Sequence, residues 1–150
     1  MSFNQTKDIL EHARNFHRRL IRFYNSLKDQ AQDEITLQLI EDLVDHEKQL
    51  EHRLFDYEGT AKGDTLDTFF KYMVATTDQT FENYFIPEIV DKEYVIKATR
   101  YFDENLQRFY ASMAQRAMTT EVKEMLENLQ QLEQREQRVL SKLVLSLQEV

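Results

Sequence analysis

The chain writes nearly the same sequence twice, about 86 positions apart, and a duplicated unit limits the possible folds more than any other feature. Residues Phe23 to Leu54 and Phe109 to Leu140 align without a gap. Phe23-Tyr24 falls on Phe109-Tyr110, Ser26 on Ser112, Ala31 on Ala117, Glu41 on Glu127, Leu43 on Leu129, Glu47 on Glu133 and Leu54 on Leu140. Upstream, the same offset pairs Arg14 with Arg100, Phe16 with Phe102, Leu20 with Leu106 and Arg22 with Arg108. Two copies of one helical hairpin are expected to pack about a pseudo-twofold axis. A polar residue facing that axis in one copy then meets its counterpart from the other. The matched acids Glu47 and Glu133 form such a pair, so the repeat points to where chemistry could sit.

The unit is helical by composition and by period. With only two Gly and one Pro in 150 residues, and abundant Leu, Glu, Gln and Lys, long helices are favoured over sheet. The first segment, residues 4–28, sets Ile9, Ala13, Phe16, Leu20, Phe23 and Leu27 at helical spacing, the mark of one buried face. Ser2 followed by Gln5 forms a candidate capping box ahead of it. After the polar break 29–33, a second segment (34–58) buries Leu39, Leu43, Leu50, Leu54 and Tyr57 and stops at Gly59. A third, 91–118, can be capped by Asp91 and lines its inner side with Val95, Thr99, Phe102, Leu106, Phe109 and Met113. A fourth follows Thr119-Thr120 through Leu126, Leu129, Leu140, Leu143 and Leu147.

Loop lengths set the topology. Short breaks make segments one and two, and three and four, antiparallel hairpins. The repeat thus covers 4–58 and 91–148, joined by the crossover 59–90. That stretch can run the length of a 25-residue helix, about 37 Å at 1.5 Å per residue. Segments two and three can then run parallel, as in a one-crossover bundle. The expectation is a single all-α domain over 1–150, a ferritin-like four-helix bundle. The crossover carries Phe69, Phe70, Tyr72, Phe81, Tyr84 and Phe85. Asp64 can cap a short helix there through Leu66, Phe69, Phe70 and Met73, and Pro87 breaks the chain before segment three. These aromatics are expected to cover the bundle.

Polar residues on the inner faces carry the functional signal. His17 lies seven positions before Tyr24, and Asp103 seven before Tyr110. Glu47 sits between Leu43 and Leu50. Leu129, Glu133, Glu136 and Leu140 share one helix face. A buried carboxylate is costly unless it is paired, protonated or bound to a cation, and a divalent metal resolves several converging on one axis. His46 can turn inward at the edge of the stripe, whereas His52 should face outward.

These segments resemble a rubrerythrin-type ferritin-like domain. "ILEHARNFHRRLIRFYNSLKDQAQDEITLQLIEDLVDHEKQLEHRL" is similar to its first half; "DKEYVIKATRYFDENLQRFYASMAQRA" with "EVKEMLENLQQLEQREQRVL" looks like its second. In that family each half supplies a Glu about seven residues before a Phe-Tyr pair and a Glu-x-x-His on the next helix, together holding two irons in the core. Here His17 and Asp103 stand where those two Glu would be. Glu47 and Glu133 keep the Glu of each Glu-x-x-His, while Leu50 and Glu136 occupy its His positions. The resemblance therefore implies a metal set of His17, Glu47, Asp103, Glu133 and Glu136. One imidazole and four carboxylates suit iron(II), manganese or zinc. With iron, the family implies storage, oxidase or peroxide-related activity, and a homodimer.

Composition trims the alternatives. No cysteine is present, which excludes disulfides, thiolate metal sites and a cysteine nucleophile; redox activity would need a separate electron donor. A formal net charge of −8 opposes general nucleic-acid binding. The basic stripe Arg14, Arg18, Arg22, with Arg19 beside it, is expected to be a solvated, ion-paired face. No apolar run approaches the length of a membrane span, so a soluble cytoplasmic protein is expected. Two alternatives to a metal protein stay open. One is a metal-free helical interaction module in which protonated His17 pairs with Glu47, Asp103 or Glu133. The other is a small-molecule binder using space between Leu50 and the aromatic crossover.

Overall fold

The structure is a computed structural model that describes residues 5–58, 79–82, 84–116 and 120–148, the side chains of 5–8, 56–58, 116, 121, 147 and 148 excepted. It is an all-helical bundle. Helix α1 spans Gln5–Ser26, α2 Glu34–Glu58, α3 Lys92–Arg116 and α4 Thr120–Gln148. The expectations for Ser2 and Gln5, Tyr57, Gly59, Asp64, Leu66, Phe69, Phe70, Tyr72, Met73, Met118 and Leu147 fall outside what is described.

The 3.6-residue period translates directly into packing. Ile9, Ala13, Phe16, Leu20 and Leu27 of α1 are buried in one core with Leu39, Leu43 and Leu54 of α2 and Val95, Phe102, Leu106, Phe109 and Met113 of α3; Leu50 is buried as well. Burying each such leucine stabilises the fold by roughly 1.5–3 kcal/mol. Six pairs matched by the repeat are buried on both sides: Phe16 with Phe102, Leu20 with Leu106, Tyr24 with Tyr110, Leu43 with Leu129, Glu47 with Glu133, Leu54 with Leu140; Phe23 is half-buried where Phe109 is buried.

Between α1 and α2 the chain makes one 3-10 turn, Lys28–Gln30, then enters α2 through Asp33. The Asp33 carboxylate accepts from the Thr36 backbone N–H and from the Thr36 hydroxyl, both at 2.8 Å, satisfying donors that an uncapped first turn leaves open. Asp91 does the same for α3, accepting from the Tyr94 N–H at 2.8 Å, as its position before the apolar stripe leads one to expect.

The chain returns to the α1–α2 turn before α3 begins. Val90 N–H donates to the Gln30 carbonyl at 3.0 Å, and Ala31 and Val90 form an isolated parallel bridge. The starts of α2 and α3 therefore lie side by side, and the two helices set out from the same end of the bundle.

Ahead of α3, Phe81 and Tyr84 cover α1 and α3. Phe81 packs on Phe16 and Phe102, with centroids 5.1 and 4.8 Å apart. Tyr84 packs on Phe23, Tyr101 and Phe102. Tyr101 donates its hydroxyl to the Thr80 carbonyl and Tyr94 to that of Phe85. Phe85 itself is 78% exposed, so it covers nothing among the described residues.

Two arginines of the basic stripe of α1 are ion-paired. Glu51 of α2 takes Arg14 at 3.0 Å and Arg18 at 2.9 Å, and Arg19 lies over the Phe81 ring. Among the described residues no helix is long and apolar enough to cross a membrane.

Candidate functional site: an imidazole between carboxylates of two helices

At the level of His17, three helices place ionisable groups in a space that water barely reaches. His17 (α1) is 1% exposed, Glu47 (α2) 1% and Glu133 (α4) 4%. The ring lies between the two acids: Nδ1 is bonded to Glu47 Oε2, and Nε2 to Glu133 Oε1 at 2.7 Å. An ionised carboxylate only accepts hydrogen bonds, so both ring nitrogens must donate. His17 is an imidazolium. Burial alone pulls its pKa down, but the charges of Glu133 and Glu47 and the bonds to them outweigh it, and the pKa stands well above the ordinary imidazole value.

Asp103 (α3) joins the cluster from the side. Burial, then the charges of Glu47 and Glu133, push its carboxyl well above the usual carboxylate range, against the opposing pull of His17 and of a hydrogen bond with Gln137. Burial wins because Asp103 has no cation of its own, His17 being engaged elsewhere. The group therefore holds its proton more tightly than an ordinary aspartic acid does.

Two tyrosines close the space. Tyr24 donates to Thr99 Oγ1 at 3.2 Å, and Thr99 donates to the Val95 carbonyl at 2.9 Å. The matching Tyr110 hydroxyl is buried with no hydrogen-bond partner among the described residues. Burial is the main cause that holds both phenols well above their usual pKa, with nearby carboxylates adding to it.

Glu136 behaves differently from its expected companions. Its carboxylate is bonded to Arg53 of α2 and lies 3.6 Å from His46 Nδ1. It thus serves an inter-helix ion pair at the bundle's edge, while Glu133, one turn earlier, faces the centre. The Arg53 side chain is half exposed and holds Glu136 there.

His46 is the residue that periodicity left undecided. It turns inward, 8% exposed, and its Nε2 is buried without a hydrogen-bond partner among the described residues. Burial is the first cause that lowers its pKa, ahead of nearby Glu47 and Glu136, which act the other way; the ring is neutral. His52 is exposed. Leu50 is buried in the core and supplies no donor atom.

A cavity of about 400 Å3 opens between α3 and α4, with Asp103, Gln137 and Thr99 among its lining residues. It is thus set beside Asp103.

Among the described residues, no group of three or more His, Asp or Glu side chains is arranged to hold a metal ion. Comparison with protein-family models, with curated proteins and with solved structures finds no match to this chain.

Proposed function

We propose that this chain is a ferritin-like, rubrerythrin-type bundle whose core is closed by a proton, and that it works as a non-catalytic helical module. The His17 imidazolium serves as the counter-cation for Glu47 and Glu133, in the place where the resembled family holds metal. One observation carries this: both ring nitrogens of His17 are spent on carboxylates. A metal-binding imidazole must offer a lone pair, and His17 offers none. Leu50 adds no donor, and Glu136 is committed to Arg53. In this arrangement the side chains do not fit a divalent ion. The reading also includes a cytoplasmic location and self-association into a dimer, and it requires no electron donor.

Metal analysis of protein purified without chelator, repeated after incubation with iron(II), manganese and zinc, tests it. Substoichiometric metal, equal in the wild type and in a His17→Ala/Glu133→Ala double variant, is the expected result. Stoichiometric metal that the double variant loses would overturn it.

A second reading, a divalent-cation site with storage or peroxide-related activity, is favoured by one observation. His46 keeps a neutral imidazole with an unpartnered buried nitrogen near Glu47 and Glu136. Stoichiometric metal that is lost in His46→Ala would decide for it.

A further inference from the structure

The cleft between α3 and α4 is not used by the reading above, and its lining is sorted by chemistry. Leu140, Val144 and Leu145 of α4, facing Ile96 of α3, make an apolar wall. Asp103 sets a carboxyl toward the bundle interior, and Arg100, three residues earlier on the same helix, is exposed at the outer side. Residues at i and i+3 are neighbours on a helix face, about 5–6 Å apart between Cβ atoms. One small head group can therefore reach both an acid and a guanidinium here. The other acid at the rim, Glu104, is paired with Arg108 at 3.6 Å, which leaves Arg100 as the cation that faces an incoming anion.

Charge in the interior points the same way. Three carboxyl groups, Glu47, Glu133 and Asp103, share the single imidazolium of His17, and that ring is bonded to the first two. Asp103 is the acid left to a ligand. An ammonium entering beside it supplies the cation that this carboxyl lacks and draws it toward its charged form. A bare metal ion would make no use of the hydrocarbon wall, and a simple amine would make none of Arg100. A ligand carrying both charges and an aliphatic body uses every part of the lining. At about 400 Å3, the space falls within the usual range for small-molecule pockets.

We propose that this cleft binds a zwitterionic α-amino acid with an aliphatic side chain, its ammonium on Asp103, its carboxylate on Arg100 and its hydrocarbon against Leu140, Val144 and Leu145. Gln137 and Ser141 border the head group.

Calorimetric titration of the full chain with L-leucine, with isopentylamine (the same skeleton without the carboxylate) and with 4-methylpentanoate (without the ammonium) tests the assignment. Leucine should bind saturably at one site. Each truncated compound should bind roughly tenfold or more weakly, since a hydrogen bond to a charged group contributes ~1.5–3 kcal/mol. Arg100→Ala should weaken leucine to the level of the amine and leave the amine unchanged. Ser141→Trp, at an exposed rim position, should fill the cleft and abolish binding with the helical circular dichroism intact. Both variants are on the surface, so folding is not at stake even if Asp103→Asn fails to fold. Absence of saturable leucine binding, equal binding of leucine and isopentylamine, or binding that survives Ser141→Trp would each overturn it.

Discussion

Replacing His17 by alanine removes the one cation between two buried acids, and its cost can be worked from the geometry. Glu47 and Glu133 are 1% and 4% exposed, so neither can recover its lost bond by turning into water. Removing one partner of a buried charge pair typically costs about 3–5 kcal/mol. Two hydrogen bonds to a charged group, at ~1.5–3 kcal/mol each, give the same order. A domain of this size has ~5–15 kcal/mol in total, so the variant should lose roughly a fifth or more of its stability at pH 7. The loss should shrink toward pH 5, where two adjacent carboxylates without a cation take up a proton and the repulsion falls. Urea unfolding of wild type and variant at both pH values is the assay. The expected gap is about 4 kcal/mol at pH 7 and clearly smaller at pH 5. A gap below about 1 kcal/mol at pH 7, or one that does not narrow in acid, would refute the imidazolium clamp.

Other outcomes follow from the same contacts. Substituting His17, Glu47 and Glu133 together by leucine should leave stability within about 2 kcal/mol of wild type or raise it, since apolar packing commonly equals a buried ion cluster; denaturant unfolding measures it. Tyr24→Phe should cost about 1 kcal/mol through the lost bond to Thr99, whereas Tyr110→Phe, whose hydroxyl has no partner, should be neutral or stabilising; thermal melts of the pair separate them. Wild-type stability should fall on the alkaline side. The folded pKa of His17 is raised, so its contribution is complete below about pH 6.5 and is lost as pH rises through the higher folded value. Asp103 acts in the same sense from about pH 4 upward, because its folded carboxyl keeps a proton that the unfolded chain releases. His46 opposes both, its neutral buried ring adding stability above about pH 6.5 that is lost in acid. Asp33→Ala should speed amide exchange in the first turn of α2, and the wild-type cap itself should fail only as pH drops through the lowered Asp33 pKa.

Much of the scaffold could be read from spacing, because burial in a helix repeats with a fixed period. Phe16, Leu20, Leu43, Leu54, Phe102 and Leu140 all lie where the stripes put them. Glu47 and Glu133 were marked by the repeat, and they do converge, through His17. What periodicity could not supply is the choice among competing partners. Glu136 shares a face with Glu133, yet Arg53 captures it, and Arg53 lies on a different helix at a position that no local pattern links to residue 136. The inward turn of His46 was equally undecided, since it lies at the edge of the stripe. Asp33 carries a readable signal, an acid three residues before Thr36 at the start of an apolar stripe, inside an otherwise polar break. The protonation of His17 is a property of three helices at once, and only their packing sets it.

The central claim is that one proton holds the two halves' acids together in the core. Nitrogen-15 NMR of the His17 ring measures this directly in the wild-type chain. Two protonated ring nitrogens at pH 7.5, unchanged by chelator and by added zinc, are the predicted result; a ring with one bare nitrogen, or one whose signals move stoichiometrically with zinc, would contradict it.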